Sequence, residues 1–249
     1  MNKIGEYIKE LRAVENFEAY LCINSHLPGP RANLELADAA ASLATRQQID
    51  HLLAYDIQMA PEHSMEVFLA VCGTIALGYE LTRGKKDVIP LLSKFANDPR
   101  WRIRESVAIA LQIFGDYNIN RMIDIVRGMA KGTAYEQRAA AAAICEPRLL
   151  GKPEHAKAAL EVLDEITQSM LSREDRTSDE FKALRKGLAY CWSVAVAALP
   201  DTGKVRFTAW VRTPDKDIRW VLRENLKKNR LKKIDPDWVQ KMNTNLKQE

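Results

Sequence analysis

Aromatic residues make up only 7% of the 249 positions, and no alternating β-branched run occurs along the chain. Both features weigh against a sheet, because strands draw on β-branched and aromatic residues in period-two alternation. No apolar run approaches the ~18 residues that a membrane span requires, and no basic start followed by an apolar core marks a secretory leader. These absences predict a soluble, cytoplasmic protein with no membrane partner. Cysteine is sparse, and Cys22, Cys72, Cys145 and Cys191 are far apart in apolar surroundings, as expected of buried thiols in a reducing compartment. His26, His51, His63 and His155 never combine with Cys or carboxylates at metal-ligand spacing. Gly73 and Gly78 sit inside a helical pattern, so no strand-then-glycine loop stands ready for a phosphate. Ser106 and Ser193 also fall within helical stretches, without the strained turn that exposes an activated serine. Neither a metal nor a cofactor is expected.

What the chain has in quantity is Ala and Leu at helical spacing, within an ordinary balance of 47% hydrophobic and 28% charged residues. The segment Asn97 to Asp116 organises the rest. It reads as an Asp/Pro turn, a helix of about fourteen residues beginning near Trp101, and a stop at Gly115. Ile103, Val107, Ala110, Leu111 and Phe114 share one apolar face, whereas Trp101, Glu105, Ala108 and Gln112 lie round from it. Setting Arg138 against Arg104 gives an offset of 34 residues, and setting Gly115 against Gly78 gives 37. Offsets of this size describe paired short helices, which bury their apolar faces by leaning on neighbouring pairs.

The remaining helices follow the same periodicity. Residues 3–25 predict one amphipathic helix, ended by Leu27-Pro28-Gly29-Pro30. Met65 to Leu81, Asp87 to Ala96, Ile119 to Ala130 and Tyr135 to Cys145 come next, then Glu154 to Leu171. Ser172 to Asp179 reads as a mobile polar loop. A helix with Leu188, Trp192 and Val196 on its core side follows, and Asp217 to Lys228 is the last well-marked repeat helix. Asp98 and Asp217 are read as helix caps. Length alone permits one domain or two, and a single domain over residues 1–249 accounts for the pattern.

The segments D-P-R-W-R-I-R and D-K-D-I-R-W-V-L-R-E-N-L resemble HEAT repeats, and the likeness covers most of residues 30–235. It implies an all-α fold, a right-handed α-α superhelix of HEAT-like helical hairpins. It also implies a non-catalytic interaction or scaffold module that binds a macromolecular partner through its concave surface. An enzymatic branch, the DNA alkylation repair glycosylases of the AlkD type, is similar in size. That branch places a Trp, an acidic residue four positions later and an Arg from the next repeat on a DNA-binding surface. Trp101, Glu105 and Arg138 match these positions, with Glu105 where the branch has Asp.

Charge supplies the second set of candidates. Residues 1–125 hold 13 Lys/Arg against 16 Asp/Glu, and residues 126–249 hold 24 against 17. A basic second half fits an anionic partner, whether a protein, another anionic macromolecule or double-stranded DNA; a solubilising surface accounts for the same count. Arg219, Arg223, Lys227 and Arg230 form one helical stripe, and Arg100, Arg102, Arg104 and Arg138 would continue a binding track. Two readings of Trp101 and Glu105 stand side by side. An exposed aromatic beside a carboxylate stacks on a base while the carboxylate stabilises positive charge on a ribose. Alternatively, Trp101 fills a groove between repeats and Glu105 pairs with Arg102 or Arg138 to hold them in register. The sequence leaves the oligomeric state open.

Overall fold

The computed structural model describes residues 3–247, which form two compact units, one ending at Asn118 and one beginning at Ile119. The architecture is an all-helical, HEAT-like α-solenoid of stacked helical hairpins, with no strand among the described residues.

The first unit contains α1 (Lys3–Ala13), α2 (Phe17–Ile23), α3 (Leu34–Leu43), α4 (Arg46–Leu53), α5 (Val67–Thr82) and α6 (Ile89–Ala96), followed by the first limb of α7 (Trp101–Met129). Residues 3–25 are therefore two helices and not one. Asn16 makes the break, its side chain accepting the Ala19 N–H at the entrance to α2 (3.0 Å). The core of this unit is α5, which is apolar almost all round and packs against α2, α3, α4 and α6. Its Gly78 lies directly on the α7 backbone: a Cβ there would sit 2.3 Å from the Ala110 carbonyl oxygen. Gly is thus required at this position because nothing larger lets the two helices approach so closely.

The turn before α7 is fixed by Arg100. Its guanidinium donates to both Asp98 carboxylate oxygens and to the carbonyls of Tyr55, Asp56 and Ala60, at 2.7–3.2 Å. Asp98 also accepts the Arg100 backbone N–H (2.8 Å), one residue before the helix begins at Trp101, so it shapes the turn and does not cap a helical N–H as the sequence suggested. The predicted stop at Gly115 is displaced. Helical backbone continues to Asn118, whose φ of −151° and ψ of 85° divide α7 into two limbs, and the second limb begins at once without a loop.

The second unit contains that second limb, then α8 (Ala134–Ile144), α9 (Pro153–Leu171), α10 (Asp179–Ala198), α11 (Pro200–Val211), α12 (Lys216–Leu226), α13 (Asn229–Ile234) and α14 (Pro236–Asn245). Here α10 is central, packing against α8, α9, α11, α12 and α13. Trp192 is fully buried on it, edge-on to Phe207 at 6.1 Å, and its Nε1 donates to Thr167 Oγ1 (3.1 Å). The buried Asn225 amide of α12 donates to the Leu188 carbonyl (2.9 Å) and its oxygen accepts the Ser193 N–H (2.7 Å), joining α12 to α10.

Two expectations change in this unit. The cap of α12 is Asp215, which accepts the N–H groups of Asp217 and Ile218 (3.0 Å each). Asp217, the second residue of the helix, instead pairs with Arg185 and Arg176. The segment between α9 and α10 is tethered: Arg176 reaches Asp215 and the Met170 carbonyl, and Arg173 reaches the Gln137 side chain (3.0 Å). Burial pushes the Asp215 carboxyl up, but the Ile218 N–H and the Arg176 guanidinium outweigh it and hold the group below its ordinary value of 3.8. A depressed carboxylate contributes stability that is present above its unfolded value and is lost as pH falls through its folded one. Asp215→Asn keeps a capping side chain but removes the charge, so the variant should show a flatter acid limb of stability as pH falls through and below the ordinary carboxylate range. Parallel pH curves for the two proteins in urea titrations would refute this role.

Candidate functional site

Trp101 opens α7 and is 45% exposed. Glu105 follows one turn later and Ile109 two turns later, so the three project along one side of the helix. Together they line an open pocket of about 420 Å³ whose opposite wall is Pro30, Leu34 and Glu35, with Val71 of α5 behind. The wall is a shaped turn. His26 has a left-handed φ of 61°, Ser25 Oγ accepts the Leu27 N–H (3.0 Å), and Asn33 caps α3 while donating to the Asn24 carbonyl and to Tyr7 (2.9 Å each). Gly29 is needed there because a Cβ would meet the His26 carbonyl oxygen at 2.4 Å.

Arg102 ties the two sides together. It is 8% exposed, and its guanidinium donates to the Gly29 carbonyl (2.9 Å) and pairs with Glu62 (3.3 Å). The same group lies 4.4 Å from the centroid of the Trp101 ring. Arg102, which the sequence nominated to meet a phosphate or a partner, is therefore committed inside the unit, fixing the pocket turn and the indole. Arg104 likewise turns back, donating to the Asp98 (2.6 Å) and Pro99 (2.8 Å) carbonyls. Chemically, the pocket offers an aromatic surface, apolar walls, the carboxylates of Glu35 and Glu105, and the cations of Arg31 and Arg102, the latter paired with Glu62. Such a lining suits a flat ring with polar groups at its edge.

The other nominated residues belong to the second unit. Arg138 is half-buried on α8, its side chain packed near Gly187 of α10. Arg219 is 7% exposed and donates to the Leu246 carbonyl (2.8 Å). Arg223 is half-buried beside the same carbonyl (3.5 Å). Lys227 pairs with Glu224, and Arg230 stacks 4.6 Å from the Tyr190 ring centroid and donates to its hydroxyl (2.6 Å). The predicted stripe thus divides, with its first two residues gathered near Leu246 and its last two engaged elsewhere.

No group of three or more metal-ligating side chains occurs among the described residues. Burial raises the Cys72 and Cys145 thiols well above their ordinary value and Cys22 to about 11, so these three stay protonated at neutral pH. No described helix is long and apolar enough to cross a membrane. Sequence periodicity placed Trp101 and Glu105 off the apolar face of their helix but did not point to the turn opposite them. Its only trace was Pro28-Gly29-Pro30, which signals a turn but not the element that the turn will face.

The family model for HEAT repeats matches residues 64–145. The solved structure of AlkD2 from Streptococcus mutans is similar to this chain over 90% of its length and 98% of that chain, with a TM-score of 0.61 and 17% identity. An engineered protein covers 97% of this chain and 98% of its own at 16% identity, but its TM-score of 0.35 carries no weight. No curated protein matches the chain in sequence. The chain has a HEAT-repeat-like all-α fold with a distant structural likeness to AlkD2.

Proposed function

We propose that this chain binds duplex DNA and recognises an alkylated base through the pocket of Trp101 and Glu105. The observation that carries this reading is the convergence of those two residues on one side of α7, in a single pocket of about 420 Å³ closed by the turn at Pro30 and Leu34. A plain scaffold needs no exposed indole held by a buried arginine next to a carboxylate. The likeness to AlkD2 is a likeness of fold, and it makes a DNA-directed role a more economical reading than an unspecified protein partner. Alkylation of a purine ring nitrogen leaves a flat cation, to which the indole face and the carboxylates of Glu35 and Glu105 are complementary, against the opposing charge of Arg31 in the same lining.

Base release is the catalytic extension of this reading. As the bond between base and sugar stretches, positive charge grows on the ribose, and the Glu105 carboxylate would stabilise it. The test uses duplexes of one sequence, with and without an alkylated purine, scored for binding and for abasic sites. Trp101→Ala should weaken binding to the alkylated duplex by about 5- to 150-fold, the range expected when a single base–indole stack of ~1–3 kcal/mol is removed. Glu105→Gln should retain binding and lose any base release. Arg138→Ala, in the second unit, serves as a separate arm. Equal affinity of the wild-type chain for the two duplexes, with no released base, would overturn the proposal and return the chain to the scaffold role.

A further inference from the structure

We infer that one face of the first unit, formed by the end of α2 and the connection between α4 and α5, is a docking surface for a basic amphipathic helix of another protein. Ile23, the last residue of α2, is 77% exposed although Leu21 beside it is fully buried. In the connection Met59 is 59% exposed, and Ile57 and Met65 are exposed as well. Single apolar side chains at a surface are ordinary. These four come from two segments that the fold sets side by side. At one edge Glu18 of α2 accepts the Tyr55 hydroxyl (2.6 Å) and pairs with Nε2 of His51 (2.7 Å), whose ring stands edge-on to Tyr55 at 5.7 Å. At another, Arg102 links Glu62 to the Gly29 carbonyl just beyond α2. The Cys22 thiol, one turn past Glu18, is pushed up chiefly by burial and then by the charges of Glu66 and Glu18, so the start of α5 also neighbours α2.

The connection is held in a fixed shape. Arg100 binds the carbonyls of Tyr55, Asp56 and Ala60 from beneath, with its own charge met by Asp98. The Asp56 carboxylate accepts the Gln58 and Met59 N–H groups (2.8 and 3.0 Å). Ala60 is fully buried while Ile57 and Met59 are left in water. An ordered turn gains nothing from folding by presenting such side chains to solvent, and flexible thioethers adapt well to an apolar partner.

Charge selects the partner. Residues 13–30 and 47–66 contain no Lys or Arg, in a chain where these make up 37 of 249 residues, yet they carry Glu15, Glu18, Asp50, Asp56, Glu62 and Glu66. Arg46 and Arg102, from outside these segments, pair with Asp50 and Glu62. Glu18 and Glu66 form no bridge to a Lys or Arg among the described residues, and Glu66 stands at the start of α5 without a capping hydrogen bond from its side chain. An apolar centre beside uncompensated carboxylates matches a helix with apolar residues along one face and Lys or Arg flanking them. The same carboxylates disfavour a nucleic acid or an anionic membrane. This surface does not depend on the lesion-recognition reading, and its test uses no DNA.

The probe is a labelled peptide of about 18 residues that places Leu on one helical face and Lys on the other, with a second peptide carrying Glu in place of Lys. Binding to the full chain is followed by fluorescence anisotropy over a salt series. The apolar variant, Ile23→Ser with Met59→Ser, should bind the Lys peptide at least about tenfold more weakly. The charge variant, Glu18→Gln with Glu66→Gln, keeps an acceptor for Tyr55 and should bind more weakly at low salt, with a flatter salt dependence. Control variants in the second unit, Leu171→Ser with Val205→Ser and Glu165→Gln with Glu174→Gln, make the same chemical changes at exposed positions and should match the wild type. All are first checked for wild-type melting temperature, and should one test variant melt early the other decides. Wild-type affinity in a folded test variant, an equal loss in the controls, equal binding of the Glu peptide, or no binding of the Lys peptide overturns the inference. So does a peptide-free dimer, seen by sedimentation, that dissociates in the apolar variant, because a second copy of this chain then covers the face.

Discussion

Replacing Arg100 with Ala should destabilise the first unit by about 3–5 kcal/mol, the cost typical of removing one partner from a buried ion pair. Arg100 is 3% exposed, and its guanidinium serves five acceptors: the two oxygens of Asp98 and the carbonyls of Tyr55, Asp56 and Ala60. Truncation strands a nearly buried carboxylate and removes a donor from three carbonyls at once, with little water to replace it. Arg100→Lys restores the charge but not the planar fork, so it should recover less than half of the loss. Urea unfolding followed by circular dichroism gives both values, and a loss below ~1 kcal/mol for the alanine variant would show that Arg100 is not the tie described. The same variant should also blunt any preference for an alkylated duplex, because this turn leads directly into Trp101.

A comparable loss, about 3–5 kcal/mol, is expected in the second unit for Trp192→Ala. The indole is fully buried against Phe207, and its N–H is satisfied by Thr167, so truncation opens a cavity and strands a hydroxyl. Trp192→Phe fills much of that space but leaves Thr167 without its donor, and should fall between the two. We propose that residues 1–249 behave as one cooperative domain, in which case Arg100→Ala and Trp192→Ala move the same unfolding transition. If instead two transitions appear and each substitution moves only its own, the single-domain proposal fails.

The helices were legible because their signals are local. The apolar stripe of Ile103, Val107, Ala110 and Leu111, the Asn and Asp residues before helix starts, and the 34- and 37-residue offsets all lie within a short span of chain. The fully buried Trp192 and the exposed Trp101 follow from the same periodicity. What stayed hidden depends on partners distant in sequence, or on single residues that override the apolar pattern. Asn16 breaks the first helix although that pattern runs on through Phe17, and Asn118, not Gly115, divides α7. Arg100 and Arg102 look like two more surface arginines in a basic run, yet each is drawn inward by groups 40 or more residues away. Arg219 behaves similarly, with its acceptor 27 residues downstream. Net charge and helical phase do not tell a solvated arginine from one that a carbonyl has captured.

The stacking of Arg102 on Trp101 bears on how tightly anything can be held there. A surface indole normally samples several orientations, and a ligand that stacks on it must arrest that motion at a cost of about 0.5–1.5 kcal/mol. With a guanidinium 4.4 Å from the ring centroid, itself anchored to Gly29 and Glu62, most of that entropy has already been surrendered during folding. A planar guest then meets a stationary surface, and its affinity should exceed that for a freely rotating indole of the same area by up to about 12-fold.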